Sequence, residues 1–211
     1  MKIHMNTGGL AATNGYLISD ESAGIAVAVD APQDTMAPLL NIVKHNNWNL
    51  THLLLTHGHW DHTSDHKVVT DAFPDAKVLI HRLDEPKLLH PGSKLFPLPY
   101  TIPPRHADGY LEDGQVISVG KLEFTVMFTP GHAPGHVVLY CATEKLLLAG
   151  DLLFAGSVGR TDLPDSSRTA MAVSLKRVMA LPDDTVVRSG HGPPTTIGEE
   201  RRTNPYLKMP M

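Results

Sequence analysis

The segment THGHWDH, residues 56–62, follows directly on the apolar run HLLL from His52 to Leu55. It crowds His57, His59, Asp61 and His62 onto the end of what reads as a buried strand. Four titratable groups left unpaired in such a place would cost several kcal/mol of desolvation, so something must accept their lone pairs. Three later points repeat the pattern. VMFTPGH ends at His132, KLLLAGD at Asp151 and TVVRSGH at His191. Each is an apolar run, a glycine, and then a side chain that can ligate a metal. The glycine lets the backbone turn sharply. Groups carried on strand ends rest on a rigid scaffold and can converge on one edge of a sheet. A single surface histidine needs no explanation, but four separate loops delivering ligands in this way do. The set of His57, His59, Asp61, His62, His132, Asp151 and His191 is too large for one tetrahedral ion.

In extended chain His57, His59 and Asp61 would share one side, because the side-chain period of a strand is two. If His57 and His59 hold one ion, His62 must turn to another. Asp151, with two oxygens, is the natural shared ligand. The donor set therefore calls for two divalent ions per chain, zinc first, with iron or manganese as alternatives. Two ions roughly 3.5–4 Å apart can trap a hydroxide between them.

The rest of the chain reads as strands and helices intermixed. YLIS, GIAVAVDA, THLLLTH, AKVLIHR, residues 122–128, 137–141 and 146–149, and TVVRSG read as strands. A helix capped by Asp34 is expected to run to about Asn46, and TSDHKVVTDAF to form a short helix stopped before Pro74. Another, capped by Ser166 or Ser167, should reach about Ala180 and bury Met171, Leu175, Val178 and Met179. The six prolines between Pro86 and Pro104 argue against any helix there; this stretch reads as a surface connection or as the wall of a site. The net charge of −4 and the absence of a basic run give no nucleic-acid or anionic-membrane surface. No apolar stretch reaches the ~18–20 residues of a membrane span, and the N-terminus lacks the apolar core of a signal peptide, so the expected location is cytoplasmic. The single cysteine, Cys141, sits in a strand and reads as an inert buried thiol. Among the 13 histidines, His136 reads first as a packing or capping group and second as a support behind the ligands; Trp60 reads equally as a pocket wall or as packing beneath the site, and Phe154 and the segment from Tyr100 to Tyr110 are weak pocket candidates.

THGHWDH, TPGH, LAGD and SGHG together resemble the metallo-β-lactamase superfamily, over essentially the whole chain and in the family's order. The resemblance implies an α/β fold, an αββα sandwich of two mixed β-sheets flanked by helices, with the site along one edge. It implies that His57, His59 and His132 bind the first metal, that Asp61, His62 and His191 bind the second, and that Asp151 bridges them. GDLLFAGSVGRTDLP and GHGPPTTIGEERRTNPYL are similar to the short glyoxalase II-like (hydroxyacylglutathione hydrolase-like) enzymes. β-Lactamases proper would place a cysteine or histidine at Asp151. The expected domain is a single one over 1–211, without the C-terminal helical region that grips glutathione in full-length glyoxalase II.

Arg160, in GRTD, falls where glyoxalase II enzymes carry a basic residue for the glutathione carboxylate; the competing reading is an ion pair with Asp162. The expected activity is hydrolysis of a small-molecule thioester such as S-D-lactoylglutathione, by attack of a metal-bound hydroxide that Asp61 orients. Two other readings stand beside it. One is a mononuclear-iron persulfide dioxygenase, a group of this superfamily in which GRTD also occurs. The other is a non-catalytic metal-binding module. The oligomeric state is not written in the sequence.

Overall fold

A strand buried on both faces needs cover on both, and the strand Ile25–Val29 shows how this chain provides it. Val27 and Val29 join one apolar cluster while Ala26 and Ala28 join another. The computed structural model describes residues 1–208; the last three residues of the expected 1–211 domain lie outside that range.

In chain order the strands are β1 Lys2–Gly8, β2 Thr13–Asp20, β3 Ile25–Val29, β4 Asn49–Leu54, β5 Lys77–Ile80, β6 Gly109–Tyr110, β7 Val116–Val119, β8 Leu122–Phe128, β9 Val137–Cys141, β10 Leu146–Gly150, β11 Leu153–Phe154, β12 Ser157–Val158, β13 Val186–Ser189 and β14 Thr195–Thr196. The helices are α1 Met36–His45, α2 Trp60–Thr63, α3 His66–Ala72, α4 Glu85–Leu89, α5 Arg168–Val178 and α6 Ile197–Thr203. One six-stranded sheet runs β1-β2-β3-β4-β5-β6 and the other β14-β13-β10-β9-β8-β7. Both are mixed: β3-β4, β4-β5, β5-β6 and β10-β13 are parallel, and the remaining neighbours are antiparallel.

Three apolar layers follow from the strand period. Ile18, Val27, Val29 and Leu54 of the first sheet meet Ile117, Phe124, Val126, Leu139 and Leu148 of the second. The outer face of the first sheet is covered by Met36, Leu39, Leu40 and Val43 of α1 with Val69 and Leu88. Met171, Leu175, Val178 and Ile197 cover the outer face of the second. The result is the expected αββα sandwich. The sheets are also laced at one edge, where Val137 N–H donates to the Thr56 carbonyl at 2.8 Å and Asn14 N–H to the Gly190 carbonyl at 2.7 Å.

Several local expectations change. Asp34 does not cap α1. It lies outside the helix with φ at 63°, and the free N–H groups of Thr35 and Met36 instead donate to the Asp65 carboxylate at 3.1 and 3.2 Å. TSDHKVVTDAF is not one helix, since α2 occupies residues 60–63 and α3 begins at His66. Pro86 lies inside α4, because a proline in the first helical turn gives up only a donor that has no partner there. The expected α5 forms, with the Ser167 hydroxyl accepting from Ala170 N–H, but it ends at Val178 instead of about Ala180, and Met179 is its half-buried C-cap instead of a buried core residue.

Candidate metal centre

Each ligand arrives where an apolar strand stops. After β4 the chain bends at Thr56 and His57, returns to extended backbone at His59, whose ψ is 146°, and enters α2 at Trp60. Strand alternation therefore does not govern this segment, although His57 and His59 do converge. Asp61 does not share their side by strand geometry; the first turn of α2 carries Asp61 and His62 round together. The turn between β8 and β9 supplies His132, the end of β10 supplies Asp151, and the end of β13 supplies His191. All seven residues meet in one place. Their ligand atoms fall into three overlapping groups: His57, His59 and His132; His57, His62 and Asp151; Asp61, His62 and His191.

The ring nitrogens His59 Nδ1 and His132 Nε2 stand 2.8 Å apart. Asp151 lies between the two halves. Its Oδ2 is 3.4 Å from both His132 Nε2 and His191 Nε2, and its Oδ1 is 3.2 Å from His62 Nε2. Asp61 Oδ2 is 3.3 Å from His191 Nε2 and 3.5 Å from His62 Nε2. His57 Nε2, His62 Nε2 and Asp151 Oδ1 are buried with no hydrogen-bond partner. Such atoms each carry a desolvation cost. Convergent, buried lone pairs of imidazole and carboxylate fit a pair of divalent cations, which would satisfy them all.

Other groups hold the ligands in their working tautomers. The Arg160 carbonyl can only accept, so His132 Nδ1, 3.0 Å away, carries the proton and leaves Nε2 free. His191 Nδ1 is held in the same way by the Ala11 carbonyl at 3.1 Å. The Asp30 carboxylate takes the same role for His62 Nδ1 at 2.8 Å and also accepts from Thr56, whose hydroxyl lies 3.1 Å from His57 Nδ1. Thr13 Oγ1 donates to Asp61 Oδ2 at 3.0 Å. His136, read from sequence as a packing or capping group, is buried and accepts the Asp151 amide N–H on Nε2 at 3.0 Å. Partners of this kind set ligand orientation and basicity. Asp30, Thr13, Thr56 and Asp84 escape the sequence reading. Only Asp30 left a signal: GIAVAVD is itself an apolar run ended by an acid.

The electrostatics divide the site. Burial, reinforced by the rings of His62 and His59, holds His57 well below the usual imidazole range. Burial with His132 and Lys87 brings His59 down to about 4. Both are therefore neutral and ready to bind. Burial opposes charge on His62, but Asp151, Asp30 and Asp61 outweigh it and hold the ring well above its ordinary value. His191 rises to about 9, because its hydrogen bonds to Asp151 and Asp61 overcome burial. Asp151 stays well below the carboxylate range. Burial works against its ionisation, and His62, His191 and His132 overcome it. In the metal-free protein, cations on His62 and His191 thus occupy the place of metal charge, and binding must release their protons.

Five of the seven, His59, Asp61, His132, Asp151 and His191, line a cleft of about 560 Å³, and His57 and His62 lie buried outside its lining. Trp60, Leu95 and Phe96 make one wall, with the Trp60 and Phe96 rings edge to face at 5.7 Å. Phe154, Val158, Leu163 and Pro164 make the other. The proline-rich stretch is thus a wall of the site, through residues 90–96. Tyr100 and Tyr110 do not line the cleft; they bond to Ser64 and Glu85. Arg160 stands at the cleft, but its guanidinium is already engaged with Asp162 in two hydrogen bonds of 2.6 and 2.7 Å.

Known proteins share this arrangement of sequence and fold. The model of the metallo-beta-lactamase superfamily matches residues 12–191. An uncharacterised protein of Aquifex aeolicus (strain VF5) is 38% identical over 198 residues, 92% of each chain. A probable metallo-hydrolase of Bacillus subtilis (strain 168), YqgX, is 31% identical over 96% of this chain and 95% of its own. The hydroxyacylglutathione hydrolase GloC of Haemophilus influenzae (strain ATCC 51907 / DSM 11121 / KW20 / Rd) is 31% identical over 92% of each. Among solved structures, the BLEG-1 B3 metallo-beta-lactamase superimposes with a TM-score of 0.89 at 34% identity, over 99% of this chain and 100% of its own. TTHA1623, in a di-iron-bound form, gives 0.82 at 37% identity, over 97% and 100%. ETHE1 from Myxococcus xanthus gives 0.80 at 28%, over 98% and 84%.

Proposed function

Because this chain belongs to the metallo-β-lactamase superfamily, we propose that it is a metal-dependent hydrolase of small-molecule thioesters, with S-D-lactoylglutathione or a close analogue as substrate. The observation that carries the reading is Asp151, whose two oxygens face His132 and His191 on one side and His62 on the other. A carboxylate so placed suits a two-ion centre with His57, His59 and His132 on one ion and Asp61, His62 and His191 on the other. Bound divalent ions, zinc by preference with iron or manganese as alternatives, would supply Lewis-acid polarisation of the carbonyl and acidify a water.

The chain's own residues supply the rest. Asp61, fixed by Thr13, presents a carboxylate that orients the attacking water and accepts its hydrogen bond. The wall of Trp60, Leu95 and Phe96 shields the scissile carbonyl from bulk solvent, and Arg160 offers the anionic carrier a cation at the rim. The identity to GloC supports the thioester class. The reading implies a cytoplasmic enzyme acting without nucleic acid or membrane. Among the described residues no helix is long and apolar enough to cross a membrane.

The test pairs elemental analysis with a substrate panel of thioesters, esters, lactones, phosphodiesters and a chromogenic β-lactam. Two metal equivalents and preferential thioester turnover are expected. A second reading, a persulfide dioxygenase with one iron, rests on the GRTD segment at residues 159–162. A single iron equivalent with oxygen uptake on glutathione persulfide would establish it in place of the hydrolase. Fully loaded protein inactive on the whole panel would leave a non-catalytic metal-binding module.

A further inference from the structure

Asp84 is the N-cap residue of α4, after β5, and is not among the groups that could hold a metal, although its charge reaches His59. Its carboxylate is nevertheless fully buried. Oδ2 accepts Gly58 N–H at 2.8 Å. Oδ1 accepts Gly135 N–H at 2.8 Å and the Lys87 ammonium at 3.0 Å. Gly58 is the residue between His57 and His59, on the loop that leaves the first sheet. Gly135 lies three residues beyond His132, on the turn between β8 and β9 of the second sheet. One side chain therefore grips both loops that carry the first ligand triad.

The glycines on those loops record the same contact. A Cβ on Gly135 would stand 2.7 Å from Asp84 N and 2.8 Å from Asp84 Cβ, and a Cβ on Gly58 would stand 2.7 Å from the Asp84 carbonyl oxygen. Real side chains do not approach that closely, so both positions must be glycine for Asp84 to reach the two amides. Lys87 also bonds Asp165 at 2.9 Å, and both side chains line the cleft, so the clamp is tied to the segment that follows Pro164. The ion pair offsets the cost of burying the carboxylate.

We infer that Asp84 is a positioning residue for the first metal site: it holds the His57/His59 loop and the His132 turn at the separation an ion requires, and it does so through their backbone amides. The second triad, Asp61, His62 and His191, is held by Thr13, Asp30 and the Ala11 carbonyl, a separate set of partners. The inference rests on the two-ion reading of the site but not on any particular substrate.

Asp84→Asn keeps the shape of the side chain while putting an amide NH2 where a second acceptor is required, so one loop is released. The measurement is zinc titration against a competing chelator in two backgrounds. His191→Ala leaves the first triad intact and reads the first site; His59→Ala reads the second. Adding Asp84→Asn should weaken zinc roughly 10- to 100-fold in the first background, the usual range for a group that orients metal ligands. In the second background it should leave affinity essentially unchanged. Gly135→Ala, which displaces Asp84 without altering its charge, should give the same selective loss. Equal weakening at both sites, or no weakening at the first, would overturn the inference. So would failure of both variants to fold without zinc, which would make Asp84 a determinant of the fold instead. Absence of zinc binding by the unsubstituted chain would be a different result, and would overturn the two-ion reading itself.

Discussion

Removing the metals should cost this protein a large share of its stability, and the orphaned atoms of the site say how much. His57 Nε2 is buried without a partner, and His62 Nε2 and Asp151 Oδ1, also buried, face each other as an ion pair at 3.2 Å. Left wholly unpaired, each such atom would cost about 1–3 kcal/mol, so about 3–9 kcal/mol is an upper bound for the three, which the His62–Asp151 pair reduces in the metal-free protein. Mass action gives a second route to the magnitude. Zinc held at about 1,000 times its dissociation constant contributes about 4 kcal/mol per site, hence about 8 kcal/mol for two. The mass-action figure lies within that bound, and it is comparable with the whole stability of an ordinary domain, about 5–15 kcal/mol. For a chain of 211 residues each kcal/mol moves the midpoint by about 2–4 °C, so two zinc ions should raise Tm by about 15–30 °C. The assay is calorimetry of chelator-dialysed protein with and without zinc, alongside elemental analysis of the same samples. His59→Ala should lose the first ion and much of the rise while keeping its circular dichroism, because the apolar core lies in the strands. Two ions bound with a rise under about 5 °C would refute the argument, since the buried lone pairs would then be satisfied in some other way.

Three further outcomes are expected. Asp151→Ala should retain less metal than Asp61→Ala, because Asp151 faces both triads whereas Asp61 meets His62 and His191 of the second; equal occupancy by elemental analysis would defeat the bridging assignment. Arg160→Ala should raise KM for an anionic thioester several-fold with kcat less affected, and Asp162→Ala, which frees the guanidinium, should lower KM; the Arg160 carbonyl that orients His132 survives both changes, so an equal effect on an uncharged thioester would reduce Arg160 to a structural ion-pair partner. His191 rises from 6.5 to about 9 in the metal-free protein through its bonds to Asp151 and Asp61. A raised histidine stabilises fully below its unfolded value and loses that contribution as pH climbs, so the metal-free Tm should fall between pH 6.5 and about 9. Because zinc no longer has to displace that proton, the zinc-induced rise should grow over the same window. A metal-free Tm that stays flat there would count against the ion pairs.

The convergence of the seven candidate ligands was legible in the sequence because each is announced locally, by an apolar strand that stops at a chemical group. The sheets were legible for the same reason: period two in GIAVAVDA and LEFTVMF fixes which residues face which layer, and the clusters around Val27, Ala28 and Phe124 follow it. What escaped depends on contacts that no local pattern encodes. Asp65 caps α1 from about 30 residues downstream, so Asp34, adjacent in sequence, looked like the cap while the real acceptor lay on another element. Asp61 was placed by strand alternation, yet α2 starts one residue earlier and turns it away from His57 and His59. Asp84 gives no sign at all, since its partners Gly58 and Gly135 lie 26 and 51 positions away. Asp30 is the instructive intermediate. It ends an apolar strand just as the ligands do, but it points its carboxylate at His62 Nδ1, behind the metal-facing nitrogen. The strand-end pattern therefore marks the edge of the sheet where chemistry collects, and it does not by itself separate a group that binds the ion from one that holds the ligand. That separation comes from which ring nitrogen the carboxylate meets: Asp30 meets Nδ1, whereas Asp61 and Asp151 meet the Nε2 that faces the other ligands.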